Sequence, residues 1–452
     1  MSTNNQIQYE EQTFIAKTIS GLEETLAQEL IEIGAKDVLV INRAVSFKGD
    51  KYLLYKANFT LRTAQRILVP LFSFPLQTED DLYRQIKEYP WEDLIKINQT
   101  IAMDAVVSKS EFTHSHFVAL RSKDALVDRF REKFNGRRPN VDTDDPDFRI
   151  NIHIYEDKCD ISLDSSGASL HKRGYRIGNA EAPLSEVLAA GLIRMSNWDK
   201  NSPFIDPMCG SGTILIEAAM YANNFPAGMY RTKFGFMNWK DFDEDLWKQV
   251  KQDAFDNVVE FEHEILGYDN SRKNLAVAKA NINNARLHLD IKVDIEDIEN
   301  LKNNTEKGGV IVINPPYGER IKTKDIISLY KSIGNTLKRE FSGYNAGIIS
   351  ADENAIKFIG LKPSKRHTVY NGQLECKYHI FELYKGSKKI SKSNASDFSS
   401  DKPKFQKDKY QKDNYKKDKG KVDFSKDKRG RRNANTSDFA SKNKNIYKRS
   451  DK

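Results

Sequence analysis

At 452 residues the chain has room for two or three domains with ordinary cores, and its 72 Lys and Arg against 64 Asp and Glu leave a formal net charge of +8. It holds no run of about 18 apolar residues and no signal peptide, so neither a membrane nor a secreted location is expected. Cys159, Cys209 and Cys376 are too few and too far apart for a disulfide framework or a four-cysteine zinc site; no metal is expected, and a reduced cytoplasm fits. The positive charge is concentrated at one end. Residues 386–452 carry 22 Lys and Arg but 9 Asp and Glu, a surplus of 13 that exceeds the +8 of the whole chain and leaves the remainder net acidic.

Residues 1–11 are polar and expected to be disordered, and 12–59 read as a small α+β subdomain. Phe14-Ile-Ala-Lys-Thr-Ile is strand-like. Ser20 stands where a helix cap would, Glu23 takes the capping-box position, Leu22, Leu26, Leu30 and Ile33 recur at helical spacing, and Gly34 ends the helix. Val38-Leu-Val-Ile and Val45-Ser-Phe are short strands, and Tyr52-Leu-Leu-Tyr begins a second helix. Residues 60–169 show helix patterns at 80–89 and 121–134 and strands at 100–107, 148–155 and 159–163, the last two joined by a hairpin. The intervening loop Asn135-Gly-Arg-Arg-Pro-Asn-Val-Asp-Thr-Asp-Asp-Pro opens basic and turns acidic. Arg137 and Arg138 can hold RNA phosphates there, or pair with the aspartates that follow. In the connector at 170–189, Leu170-His-Lys-Arg-Gly-Tyr-Arg176 precedes a helix at 187–195 opened by Pro183, Ser185 and Glu186.

Phe204-Ile-Asp-Pro-Met-Cys-Gly-Ser-Gly-Thr213 is an apolar strand ending at Asp206, a turn with Gly210 and Gly212, and the start of a helix. Glycines let a ligand approach the backbone, and the helix N-terminus offers free N–H groups. A dinucleotide fingerprint would need a further glycine where Leu215 stands and an acid about 20 residues on, so a nicotinamide cofactor is not expected. Asp206 would repel a pyrophosphate but attract the cationic amino end of an amino acid. Residues 223–264 form an insertion whose Trp239, Phe242, Leu246, Trp247 and Val250 make one apolar face, expected to cover the sheet. Ile265-Leu-Gly-Tyr-Asp269 is the second strand, with Asp269 and Asn270 at its end. A helix at 272–285 and a strand near 291–293 follow, with Asp294 and Asp297 both acidic candidates beyond. Val310-Ile-Val-Ile is a buried-strand run, and Asn314-Pro315-Pro316-Tyr317 stands at its carboxyl end, where open α/β sheets place ligands. The two prolines fix the backbone. A helix at 326–340, a strand at 346–350 and a last strand at 377–384 complete an alternation that argues for a mostly parallel, doubly wound sheet.

The glycine turn behind Asp206 resembles the first motif of class I S-adenosylmethionine-dependent methyltransferases. Asn314-Pro-Pro-Tyr317 resembles the motif of those that act on planar amino groups. The helix at 121–134, the loop from Gly136 and the hairpin at 148–163 resemble a THUMP domain, and Leu170–Arg176 with Ala182-Pro-Leu-Ser-Glu-Val-Leu-Ala-Ala190 matches what precedes the first motif in THUMP-linked enzymes. Residues 14–383 together resemble the amino-terminal half of the bacterial large-subunit rRNA guanine-N2 methyltransferase. A second methyltransferase domain, which some homologues carry, is not expected after Tyr384.

The resemblance implies a Rossmann-like methyltransferase domain at 190–385 behind an α+β, THUMP-containing RNA-binding region. It implies S-adenosyl-L-methionine held by Asp206, Pro207, Cys209, Gly210, Gly212, Thr213, Asp269, Asn270 and Asp297. Asp269 would take the ribose hydroxyls and Asp297, or Asp294, the adenine amino group. Asn314 Oδ1 and the Pro315 carbonyl would accept the hydrogens of an exocyclic amine, with Pro316 fixing the loop and Tyr317 stacking on a flipped base. Arg173 and Arg176 would stand near the mouth as RNA contacts, or belong to a connector whose Tyr175 packs between domains, and Arg320 would meet RNA phosphate or pair with Glu319. The expected activity is N2 methylation of a guanine in 23S rRNA or its precursor particle. The same chemistry on tRNA stays open, as does a non-catalytic RNA-binding or ribosome-assembly role; DNA adenine or glutamine methylation would leave the THUMP-like region unexplained. The tail at 386–452, with loose repeats such as Lys407-Asp-Lys-Tyr, is expected to be disordered and to attract RNA through counterion release and stacking, or merely to solubilise.

Overall fold

The structure, a computed structural model, describes residues 10–177, 184–303, 308–316 and 323–384. Tyr317, Arg320, Pro183 and the tail lie outside the described residues.

The chain first runs β1 (Gln12–Lys17), α1 (Glu23–Glu32), β2 (Lys36–Ile41), β3 (Ala44–Gly49), α2 (Lys51–Thr60), β4 (Arg66–Pro75), α3 (Glu79–Glu88), α4 (Trp91–Leu94), β5 (Thr100–Ser108), α5 (Ser115–Lys133), β6 (Asn140–Val141), β7 (Phe148–Tyr155) and β8 (Lys158–Asp164). All eight strands belong to one sheet, ordered β2-β3-β1-β4-β8-β7-β5-β6. Its middle is β4, which pairs with β1 through Ile15↔Leu68 and with β8 through Leu68↔Asp164. Sequence reading passes over β4 because Pro70 and Pro75 break its pattern. The sheet accommodates proline here with a register shift between Pro70 and Phe72, the kind of irregularity at which proline is tolerated inside a sheet. Ser20 does not cap α1. Gly21, at φ +90°, turns the chain first, and the helix begins at Glu23, whose carboxylate accepts from the Gly21 and Arg43 amides.

The second part runs α6 (Glu186–Met195), β9 (Phe204–Asp206), α7 (Thr213–Ala222), α8 (Glu244–Asp256), β10 (Ile265–Asp269), α9 (Arg272–Asn284), β11 (Ile291–Ile295), β12 (Val310–Ile313), α10 (Thr323–Glu340), β13 (Asn345–Ser350), β14 (Lys365–Asn371) and β15 (Leu374–Glu382). Its sheet is ordered β11-β10-β9-β12-β13-β15-β14. The first five strands are parallel and the final hairpin is antiparallel, the doubly wound, mostly parallel sheet expected. Strand order reverses between β9 and β12, and a ligand crevice opens beyond the strand ends at such a switch point. Asp206 ends β9 and Asn314 follows β12, so both key stretches arrive at that crevice.

One expectation is corrected. The apolar face of the insertion does not cover this sheet: Leu246, Trp247 and Val250 of α8 pack with Phe14, Tyr55 and Phe59 of the first unit. The Trp247 ring stands edge-on to Phe59 at 5.2 Å and to Phe236 at 5.4 Å. The insertion also reaches α4 itself, where Lys240 Nζ donates to the Glu92 and Asp93 carbonyls. It therefore ties the chain of the second sheet to the first sheet.

Candidate active site

The floor of the crevice is the turn between β9 and α7. Gly212 sits at φ +80° as the N-cap of α7, and a Cβ there would stand 3.3 Å from the Ala278 Cβ on α9, so both backbone and neighbour demand glycine. Gly210, at φ +54°, has no atom within 4 Å of where a Cβ would project. Its amide donates to Asp269 Oδ2 at 2.9 Å, and the Cys209 amide donates to the Tyr268 carbonyl at 2.8 Å. The turn is thus fastened to the end of β10, with its small residues open toward the crevice. Pro207 lies within it. Burial pushes the Cys209 thiol far up, which leaves it no thiolate to act as a nucleophile.

Asp206 is 1 % exposed and accepts from the Met208 amide at 3.2 Å. Burial, reinforced by the charge of Asp269, pushes its carboxyl up to about 8. With the folded value above the unfolded one, Asp206 contributes stability that is present below about pH 4 and is lost as pH rises toward 8. Asp206→Asn should therefore gain on the wild type as pH rises through that window, at up to about 1.4 kcal/mol per pH unit. Urea unfolding of both proteins between pH 4 and 8 checks this; parallel pH profiles would contradict it.

Asp269 is held on three sides: Oδ1 accepts from the Ser271 amide at 2.9 Å and Asn274 Nδ2 at 3.2 Å, and Oδ2 from Gly210. Asn270 Nδ2 donates to Asp297 Oδ2 at 3.0 Å. The structure therefore brings Asp297 beside Asp269 and Asn270, whereas Asp294 lies within β11 opposite Tyr268 and is exposed. Across the crevice, Asn314 Oδ1 is buried with no hydrogen-bond partner among the described residues. An orphaned amide oxygen costs roughly 1–3 kcal/mol, a cost retained at sites that use the group.

Two arginines expected to meet RNA are corrected. Arg173 is buried, its side chain 1 % exposed beside a Glu217 that is 0 % exposed, with Nε at 3.3 Å from Oε1. It also donates to the Leu170 and Arg62 carbonyls, and Tyr175 Oη gives Glu217 a further bond at 3.1 Å. Arg176 turns inward, donating to Glu186 at 2.9 Å and to Thr213 Oγ1 at 3.1 Å, so it braces the first turn of α7. Asn281 on α9 completes the brace, accepting from the Ile177 amide and donating to the Ser211 carbonyl, each at 2.9 Å. Sequence reading missed Glu217 and Asn281. The signal for Glu217 was a lone carboxylate in the apolar run Ile214-Leu-Ile-Glu-Ala-Ala-Met; Asn281 left none. Arg137 and Arg138 remain on an exposed loop without an ion pair among the described residues, because Asp142 accepts from the Asp144 and Asp145 amides and Asp145 pairs with Lys233.

Among the described residues no cluster of His, Cys, Asp and Glu could hold a metal, and no helix is long and apolar enough to cross a membrane. A close-approach glycine turn, a buried carboxylate at one strand end and a carboxylate and amide at the next fit a ligand with a cationic head and a sugar. The orphaned oxygen opposite fits a second group that donates.

Comparison with known proteins agrees. An RlmL ferredoxin-like domain matches residues 13–68, a THUMP domain 77–164, and an RMKL-like methyltransferase domain 173–380. The chain is 38 % identical over 376 residues to "Putative RNA methyltransferase slr0064" of Synechocystis, covering 82 % of this chain and 97 % of that one. It is 37 % identical over 381 residues to "Ribosomal RNA large subunit methyltransferase K/L" of Syntrophotalea carbinolica, covering 82 % of this chain but 53 % of that protein's length. Among solved structures, "SMU.472, a putative methyltransferase complexed with SAH" superposes with a TM-score of 0.75 at 29 % identity, over 84 % of this chain and all of the other.

Proposed function

From the premise that this chain belongs to the THUMP-linked class I S-adenosylmethionine-dependent RNA methyltransferases, we propose that it methylates the exocyclic N2 of a guanine in 23S rRNA. The observation that carries the reading is Asn314 Oδ1, a buried acceptor at the switch point that lacks a donor among the described residues. The lone pair of an aromatic exocyclic amine is delocalised, so the amine attacks poorly unless it is aimed. With one hydrogen on Asn314 Oδ1 and the other on the Pro315 carbonyl, it points in one direction, and fixed orientation is worth up to about 7–11 kcal/mol. S-adenosylmethionine, when bound, supplies a sulfonium methyl. Asp206 holds the amino end, Gly210 and Gly212 let it close on the turn, and Cys209 and Thr213 line that approach. Asp269 and Asn270 hold the ribose, and Asp297 takes the adenine amino group. Tyr317 is assigned to stack on the flipped base, and Arg320, with the exposed Arg137 and Arg138, to meet RNA.

Ribosomal rather than transfer RNA is favoured by the K/L relative. The test is competition: purified protein, labelled S-adenosylmethionine, and 23S rRNA and tRNA in one tube, separated afterwards. Label on 23S rRNA supports the assignment, and label confined to tRNA overturns it.

We further propose that residues 386–452 tether RNA electrostatically. Their deletion should weaken RNA binding most at low salt and flatten the log–log salt dependence by about 0.7–0.9 per lost phosphate contact. Filter binding across a salt series checks this, and unchanged affinity at low salt would leave the tail a solubiliser.

A further inference from the structure

A cavity of about 480 Å³ lies away from the active site, between α1 and α2 of the first unit, α8 of the insertion, and α6 and α7 of the catalytic domain. That volume suits a small metabolite. Around the Tyr221 ring in its wall stand three cations: the Arg62 and Arg194 guanidinium carbons at 5.7 and 5.5 Å from the centroid and Lys200 Nζ at 5.0 Å.

With Lys56 the wall carries four cations against the carboxylates of Glu29, Glu32 and Asp253, a surplus of one positive charge. Both Glu32 carboxylate oxygens accept from Arg194 Nη2, at 2.6 and 2.8 Å, and Arg194 Nη1 lies 3.9 Å from Glu29 Oε1. Glu29 accepts from the Arg62 and Thr63 amides and the Thr63 hydroxyl. Asp253 accepts from Tyr52 Oη at 2.7 Å. Arg62 is 5 % exposed; its Nη2 donates to the Met220 and Phe225 carbonyls, and its Nη1 is buried with no partner. Lys200 is half-buried and meets no carboxylate within ion-pair distance among the described residues. Burial and the repulsion of Arg62 and Arg194 draw its ammonium below the usual lysine range. One guanidinium nitrogen, Arg62 Nη1, and the Lys200 ammonium are thus left without an acceptor among the described residues.

We propose that this cleft binds a small molecule bearing a phosphate monoester. A monoester carries about −1.5 to −2 charge at neutral pH and three acceptor oxygens, which match a guanidinium donor and an ammonium on the wall of one cavity. A backbone phosphodiester carries a single charge and is flanked by chain on both sides, which does not suit a donor as buried as Arg62 Nη1. A ligand seated here touches all three parts of the fold and holds the first unit against the catalytic domain. The inference is independent of the methylation reading.

The test is isothermal titration of the full-length protein, saturated with S-adenosylhomocysteine, with ribose 5-phosphate, inorganic phosphate and ribose. Ribose 5-phosphate should bind saturably at one site per chain and ribose not at all. Lys200→Gln, whose fold a thermal melt checks, should weaken ribose 5-phosphate at least about tenfold; Arg62 is too deeply built in to serve alone. Absence of saturable binding by ribose 5-phosphate, or unchanged affinity in a folded Lys200→Gln protein, would overturn the proposal. Inorganic phosphate binding that is likewise weakened in Lys200→Gln would support it and place the recognition in the phosphate group.

Discussion

Asn314→Ala should lower the rate of methyl transfer by at least about 100-fold while leaving the affinity for S-adenosylhomocysteine within about twofold of wild type. The two readouts separate because Asn314 follows β12, whereas the turn, Asp206 and the Asp269 cluster hang from β9 and β10. Removing the carboxamide leaves every hydrogen bond of that cluster in place and takes away an oxygen that has no partner among the described residues. Folding should survive for the same reason: a buried unsatisfied acceptor contributes nothing to stability. Single-turnover transfer with calorimetric titration of S-adenosylhomocysteine measures both. A variant that lost both transfer and product affinity would show that Asn314 serves the cofactor side instead.

Arg173→Met should destabilise the protein by about 3–5 kcal/mol, the largest effect expected of any single change away from the crevice. The substitution keeps apolar bulk but strands Glu217, which is 0 % exposed and has Tyr175 Oη as its remaining donor at 3.1 Å. It also withdraws the donors from the Leu170 and Arg62 carbonyls. Because one guanidinium joins the connector, the segment before β4 and α7, the loss should appear in global unfolding rather than in local fraying. The double variant Arg173→Met with Glu217→Gln should recover part of the stability, since the uncompensated charge is then gone. Chemical denaturation of the single and double variants decides this; a single variant within about 1 kcal/mol of wild type would mean that the pair contributes no net stability.

The catalytic half was legible because its key stretches are short and local. At β9, a run of apolar residues stops at an acid and two glycines, and at β12 four buried residues stop at Asn-Pro-Pro, so the strand end and the chemistry are written together. The remainder depended on partners distant in the chain. Arg173 read as a surface cation because its carboxylate lies 44 residues away. The stripe on α8 announced burial but not against what, and the answer was aromatic residues from the other end of the chain. β4 was hidden by its own prolines. The β14–β15 hairpin carries a plain signal, Asn371-Gly372 with glycine at φ +65°, which a reading with one last strand at 377–384 does not use.

The measurement that tests the central claim most directly is nucleoside analysis after transfer of labelled methyl from S-adenosylmethionine to total RNA from a strain lacking this gene, with ribosomal precursor particles tried beside naked RNA. The account predicts label in N2-methylguanosine within large-subunit rRNA, and none with the Asn314→Ala protein. Label in N6-methyladenosine, or transfer that persists without Asn314, would contradict it.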